Sequence, residues 1–135
     1  MAGIFVNYRR QDSRAYAGRL TKDLKGYFGE SQIFQDIDTI EPGIDFVKAI
    51  NSAVGSCTVM LTIIGPIWLS IKDEHGRRLL EAPDDYVRLE IEAALRRDIR
   101  VIPILVGSAT MPCQANLPES LAPLARRQAH ELGEA

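Results

Sequence analysis

The succession of apolar and polar positions divides the chain into short strands and amphipathic helices. Gly3 to Tyr8 is apolar and rich in strand formers, and it runs into the polar turn Arg9-Arg10-Gln11-Asp12-Ser13. From Ser13 the residues Tyr16, Ala17, Leu20, Leu24 and Tyr27 keep a helical period, with Ser13 the predicted N-cap and Gly29 the predicted stop. Gln32 to Gln35 predicts a second short strand. Asp36 to Gly43 follows it as a long charged loop, in which Pro42-Gly43 is the turn signal. Phe46, Val47, Ile50 and Val54 mark a second helix, closed by Gly55-Ser56.

Cys57 to Ile64 is an almost uninterrupted apolar run of strand length. Such a run is expected where helices cover both faces of a parallel strand, so it is the predicted central strand. Gly65-Pro66 ends it. The segment from Ile67 to Ala82 reads as mostly loop: Trp68 to Ile71 can open a short helix, and Lys72 to Arg78 is a polar turn pivoting on Gly76. A third helix is predicted over Asp84 to Arg97, with Pro83 and two aspartates at its start and Arg96-Arg97 at its end, where the helix dipole favours each sign of charge. Arg100 to Val106 is the strand it feeds, and Gly107-Ser108 stops that strand. Asn116 can cap a single helical turn that carries Pro118 early and is broken by Pro123, and Gln128 to Leu132 is a last predicted strand.

Five strands alternating with helices predict an α/β domain, a flavodoxin-like, doubly wound, five-stranded parallel sheet. Helices are needed on both faces of such a sheet, and the last strand ends close to residue 135. One covering helix is therefore missing from the count. Either an edge is bare, or the chain is the N-terminal part of a longer protein.

Within the third helix Val87, Ile91, Ala94 and Leu95 form the apolar face. Glu92 projects away from it between Arg88 and Arg96, as a solvated ion-pair residue. Glu90 falls on the margin of that face with Tyr86 one turn before it. Spacing leaves two readings for Glu90: a boundary glutamate that reaches out to water, or a half-shielded carboxylate beside an aromatic ring. Leu89 lies opposite the core face and the pattern gives it no role.

Composition narrows the function classes. A formal charge of −2 over 135 residues gives no electrostatic case for nucleic acid or an anionic membrane. No apolar run approaches the roughly 20 residues of a membrane span, and no signal-peptide region precedes the first strand, so a cytoplasmic protein is expected. Cys57 and Cys113 lie in no metal-ligand pattern. With two histidines, His75 and His130, a histidine triad or metal site is not expected, and His130 falls on the edge strand. Glycine-rich phosphate loops and His-Glu-x-x-His are absent from the sequence.

Ligands of open α/β sheets bind beyond the carboxyl ends of the strands. That rule selects Arg9-Arg10, the loop Asp36 to Gly43, the segment Gly65 to Trp68, and Tyr86 with Glu90. Each has a plain alternative. The arginines can grip a pyrophosphate or be a solvated pair, the acidic loop can be a lid, a partner surface or a long solvated turn, and Trp68 can stack on a base or be a core or loop anchor.

Phe5-Val6-Asn7-Tyr8-Arg9-Arg10, then Phe34-Gln35-Asp36 with Glu41-Pro42-Gly43, then Asp85-Tyr86-Val87-Arg88-Leu89-Glu90-Ile91 ahead of Val101-Ile102-Pro103-Ile104, resemble a Toll/interleukin-receptor (TIR) domain of the bacterial type. The resemblance covers nearly the whole chain. It implies a flavodoxin-like sheet and, as in many bacterial, plant and axonal members, cleavage of the bond joining nicotinamide to ribose in NAD. Other members are adaptors without activity, and a non-catalytic TIR–TIR interaction module is the alternative reading here. The family's Trp-x-x-x-Glu pattern maps onto Tyr86 to Glu90, with Tyr in place of Trp. This makes Glu90, not Glu92, the implied catalytic residue.

The implied substrate-binding residues are Tyr8, Arg9, Arg10, Asp36, Trp68 and Tyr86. The loop containing Asp38, Glu41, Pro42 and Gly43 corresponds to a segment used in self-association and gating. NAD enters as substrate, with no cofactor and no metal. The implied partners are further copies of the domain, in homo-oligomeric contacts, and an appended sensor or effector domain beyond residue 135. The implied setting is bacterial defence signalling. The family continues into a further helix that this chain lacks.

Overall fold

The computed structural model describes residues 3–35 and 42–132. β1 (Ile4–Asn7), β2 (Ile33–Gln35), β3 (Val59–Ile64), β4 (Arg100–Leu105) and β5 (His130–Glu131) alternate with α1 (Arg10–Phe28), α2 (Phe46–Gly55) and α3 (Tyr86–Arg96). The strands form one parallel sheet in the order β2-β1-β3-β4-β5, the flavodoxin-like arrangement expected from the pattern. β1 and β3 lie side by side at its centre, with Asn7 opposite Thr62 at their carboxyl ends.

Side chains alternate between the two faces. Phe5, Met60, Ile64, Val101 and Leu105 point to one face and pack with Ile50 and Val54 of α2, Val87, Ile91 and Ala94 of α3, and the buried Trp68, Leu80, Leu121 and Leu124. Val6, Ile33, Ile63 and Ile104 point to the other, where among the described residues α1 supplies the helical cover through Ala17, Leu20 and Leu24. The pairing of β5 with β4 covers only Ile104↔His130 and Leu105↔Glu131. Pro103 therefore lies in the part of β4 that has a partner strand on one side, where its missing donor is tolerated.

Several local expectations are corrected. Helix α1 begins at Arg10 rather than Ser13, and Ser13 is a break within it, with φ −144° and ψ 26°. Its hydroxyl is buried without a protein partner and caps nothing. The neighbouring Asp12 carboxylate accepts hydrogen bonds from the backbone N–H groups of Gly65 (2.7 Å) and Ile67 (2.8 Å) and ties the first turn of α1 to the loop leaving β3. Gly29, at φ 96°, ends α1 with its N–H on the Lys25 carbonyl, as its position after the last periodic residue predicts.

The final segment is also more ordered than one broken turn. A 3₁₀ turn at Gln114–Asn116 is followed by a 3₁₀ stretch from Glu119 to Arg126 that runs through Pro123. Leu121 and Leu124 from that stretch are fully buried in the core beside α3. This second flank gives Leu89 its place, since it is partly buried against the same core. It also removes Glu92 from open solvent: its side chain is 15% exposed, paired with Arg88 at 2.9 Å and accepting from the Ser120 hydroxyl. Arg96, the other expected partner of Glu92, instead donates to the Asn51 side chain at 2.9 Å.

Candidate active site

The site is assembled where β1 leaves the sheet and α3 begins. Asp85 is the N-cap of α3, accepting a hydrogen bond from the Arg88 backbone N–H at 3.1 Å. The same carboxylate receives both terminal nitrogens of Arg9, Nη1 to Oδ1 at 2.8 Å and Nη2 to Oδ2 at 2.7 Å. The side chains are 4% and 10% exposed, so this is a buried, bidentate ion pair between the end of β1 and the start of α3. Arg9 Nε is buried with no protein partner.

One turn into α3, Glu90 is 3% exposed, well inside the protein rather than at the half-shielded margin that spacing suggested. Its Oε1 accepts from Asn7 Nδ2 at 2.8 Å, and the same nitrogen reaches the Val87 carbonyl at 3.3 Å. Val87 and Glu90 are three residues apart and so share the helix face turned toward β1. Tyr86, half-buried, stacks on Phe46 of α2 with ring centroids 5.4 Å apart and planes inclined at 25°. Phe46 follows Asp45, the N-cap of α2, whose carboxylate accepts from Val47 N at 3.0 Å and Lys48 N at 3.4 Å.

A groove of about 160 Å³ opens beside this cluster, walled by Tyr8, Arg9, Arg10, Asp85, Tyr86 and Val87. Pockets that enclose drug-sized ligands run from about 300 to 1,000 Å³, so this groove by itself is smaller than an enclosing pocket. Larger hollows lie along the same carboxyl edge, one of about 280 Å³ between the loops after β3 and β4, where Pro66, Leu69, Met111 and Cys113 meet.

The expected site residues fall into four groups. Tyr8, Arg9, Arg10, Tyr86 and Glu90 are brought together at the β1–α3 junction, with Arg9 committed to Asp85. Trp68 is 0% exposed in the core, with its indole N–H unpartnered, so this chain presents it as a core anchor rather than as a surface for stacking. Pro42 and Gly43 are exposed in the turn before α2, with Gly43 at φ 87°. Asp36, Asp38 and Glu41 lie outside the described residues. Among the described residues no three His, Cys, Asp or Glu side chains gather as a metal would require, and no helix is long and apolar enough to cross a membrane.

Asn7, Asp85 and Phe46 escaped the sequence reading as members of the site. A signal existed for Asn7: it is the polar end of an otherwise apolar strand, two residues after Phe5 and so on the same buried face. Asp85 stands in the sequence as a favourable charge at a helix start and as the first residue of the motif Asp85 to Ile91, with nothing local to name Arg9 as its partner.

A family model described as TIR domain matches residues 4–133. The chain belongs to the TIR domain family. No curated protein matches it in sequence. Among solved structures, the TIR domains in the structure of the activated Roq1 resistosome directly recognizing the pathogen effector XopQ share its fold, with a TM-score of 0.66 at 15% identity, covering 98% of this chain and 88% of that one. In this TIR domain Glu90 is thus a buried group hydrogen-bonded from the sheet, and the groove at the β1–α3 junction is narrow.

Proposed function

We propose that this TIR domain cleaves NAD at the bond between nicotinamide and ribose, with Glu90 as the catalytic residue. The observation that carries the proposal is the buried Glu90 carboxylate at the carboxyl end of the central strands, hydrogen-bonded by Asn7 and one helical turn from the Tyr86 ring. One carboxylate suffices for this reaction. Nicotinamide departs from a cationic ring nitrogen, taking the C1′–N bonding pair and leaving as a neutral molecule, so it needs no general acid, unlike the leaving groups of ordinary glycosidases.

Glu90 then acts by holding the ribose and stabilising the positive charge that grows on the sugar. Water adds to C1′ and loses a proton to give ADP-ribose; attack by an adenine nitrogen gives a cyclic product instead. Tyr86 offers a face to the departing ring, and Tyr8 and Arg10 line the approach. Arg9 serves by holding the start of α3. NAD is the substrate, and the chemistry calls for no metal or further cofactor.

Glu90 is buried and the groove beside it is small, so the active form in this proposal is an assembly of TIR domains in which the site opens. The stack of Tyr86 on Phe46 links the site to the helix that follows the self-association loop, and the similarity to TIR domains of an activated resistosome agrees with that requirement. The setting that fits is a cytoplasmic, bacterial defence protein in which a further domain triggers assembly.

A second reading, a non-catalytic interaction module, is favoured by the 3% exposure of Glu90 and the closed Arg9–Asp85 pair. Nicotinamide release from NAD at high protein concentration separates the two. The parent and Glu92→Gln are expected to release it, and Glu90→Gln to fall by at least about 10²-fold. Equal release by all three overturns the assignment of Glu90. A parent that assembles and releases none supports the interaction module.

A further inference from the structure

Glu90 is carried by a helix but oriented by a strand. Asn7, the last residue of β1, is fully buried, and its Nδ2 faces two acceptors at once, Glu90 Oε1 at 2.8 Å and the Val87 carbonyl at 3.3 Å. Turning the amide over would set Oδ1 against both of those oxygens, so its orientation is fixed by its partners. Oδ1 is left buried without a protein partner, as is the hydroxyl of Thr62, the residue opposite Asn7 on β3 and on the same face of the sheet. A side chain there only to fill the core would be apolar and leave no acceptor unmatched. What Asn7 does that an apolar residue cannot do is donate to Glu90.

We propose that Asn7 is a positioning residue for the Glu90 carboxylate, an inference that rests on the reading of Glu90 as catalytic. β1 is paired with β2 as far as Val6 and with β3 as far as Asn7, which makes its end a rigid mount. The Arg9–Asp85 pair separately fixes the first turn of α3. A carboxylate held from the sheet in this way is preorganised for charge that develops on the sugar, because it does not need to reorient when the bond breaks.

Two measurements test this. In the assembled, active protein, Asn7→Ala is expected to lower kcat by about 10²-fold while KM stays within about twofold, because the donor acts on the catalytic group and not on substrate capture. Asn7→Ser, which keeps a donor on a smaller side chain, serves where Asn7→Ala does not fold, with a smaller loss of the same kind. The second measurement needs no activity. Asn7→Asp places two carboxyl groups at hydrogen-bond distance and is expected to lower the denaturation midpoint at neutral pH. Adding Glu90→Gln reverses donor and acceptor and is expected to raise it again.

An active parent whose Asn7→Ala or Asn7→Ser variant keeps its kcat overturns the positioning role alone. So does an N7D/E90Q midpoint no higher than that of N7D. A parent that releases no nicotinamide in any assembled state overturns the reading of Glu90 and the positioning role with it.

Discussion

Arg9 and Asp85, 76 residues apart in sequence, meet in two parallel hydrogen bonds of 2.8 and 2.7 Å, and the same aspartate caps the helix that carries Glu90. The pair therefore does two things. It closes one wall of the groove, and it sets where α3 starts relative to β1. Removing Asp85 leaves a guanidinium buried at 4% exposure with no counter-charge and uncaps the helix. Asp85→Ala is expected to reduce unfolding free energy by about 3–5 kcal/mol, read by urea denaturation. The R9A/D85A double variant is expected to be less destabilised than the sum of the two single variants. Additive losses would mean that the two groups do not stabilise each other.

A second close contact involves a glycine. A Cβ built on Gly65 meets both Asp12 carboxylate oxygens at 2.6 Å, the oxygens that bind the N–H groups of Gly65 and Ile67. Gly65→Ala is expected to cost about 1–3 kcal/mol through overpacking. The same substitution made on an Asp12→Ala background is expected to cost less, because the obstructing carboxylate is gone. Equal losses on the two backgrounds would place the strain elsewhere.

Glu92 ties α3 to the 3₁₀ stretch that flanks it rather than facing water, pairing with Arg88 of its own helix and accepting from Ser120. Glu92→Ala is expected to lower stability by about 1–2 kcal/mol with nicotinamide release retained. A variant of unchanged stability would return Glu92 to the role of an exposed surface charge.

The two thiols differ in reach. Cys113 is exposed, whereas Cys57 is buried at the entry to β3, and its burial raises the thiol above its ordinary value of 9.0, with the Ser56 hydroxyl acting weakly in the other direction. Alkylation of the folded protein near neutral pH is expected to modify Cys113 quickly and Cys57 only on unfolding, read by mass spectrometry of tryptic peptides. The linkage has a definite sign. The folded state holds the Cys57 proton more tightly than the unfolded chain, so this contribution to stability is complete below pH 9 and is lost as pH rises through the raised folded value. Cys57→Ala is expected to remove that alkaline dependence, and an identical alkaline slope in both proteins would count against it.

The sequence by itself determined the elements and their class. Apolar runs of strand length, helical periods of three and four, Gly29 as a stop and aspartates at helix starts are local signals, and local backbone and burial preferences answer to them directly. They sufficed for five strands, three helices and a parallel sheet, whereas the preference for Glu90 over Glu92 came from the resemblance of Tyr86 to Glu90 to the family's Trp-x-x-x-Glu pattern. Only the tertiary structure decided how deep each candidate lies and what it touches. Glu90 went from a helix margin to near-complete burial because Asn7, 83 residues earlier, comes to meet it, and Arg9 found Asp85 across a similar interval. Trp68 went to the core, and Glu92 gained Ser120, because the loop after β3 and the 3₁₀ stretch fold back on α3. A periodic pattern reports which side of an element is apolar. Which distant group completes a polar side chain depends on how those elements stack, and no local spacing carries that information.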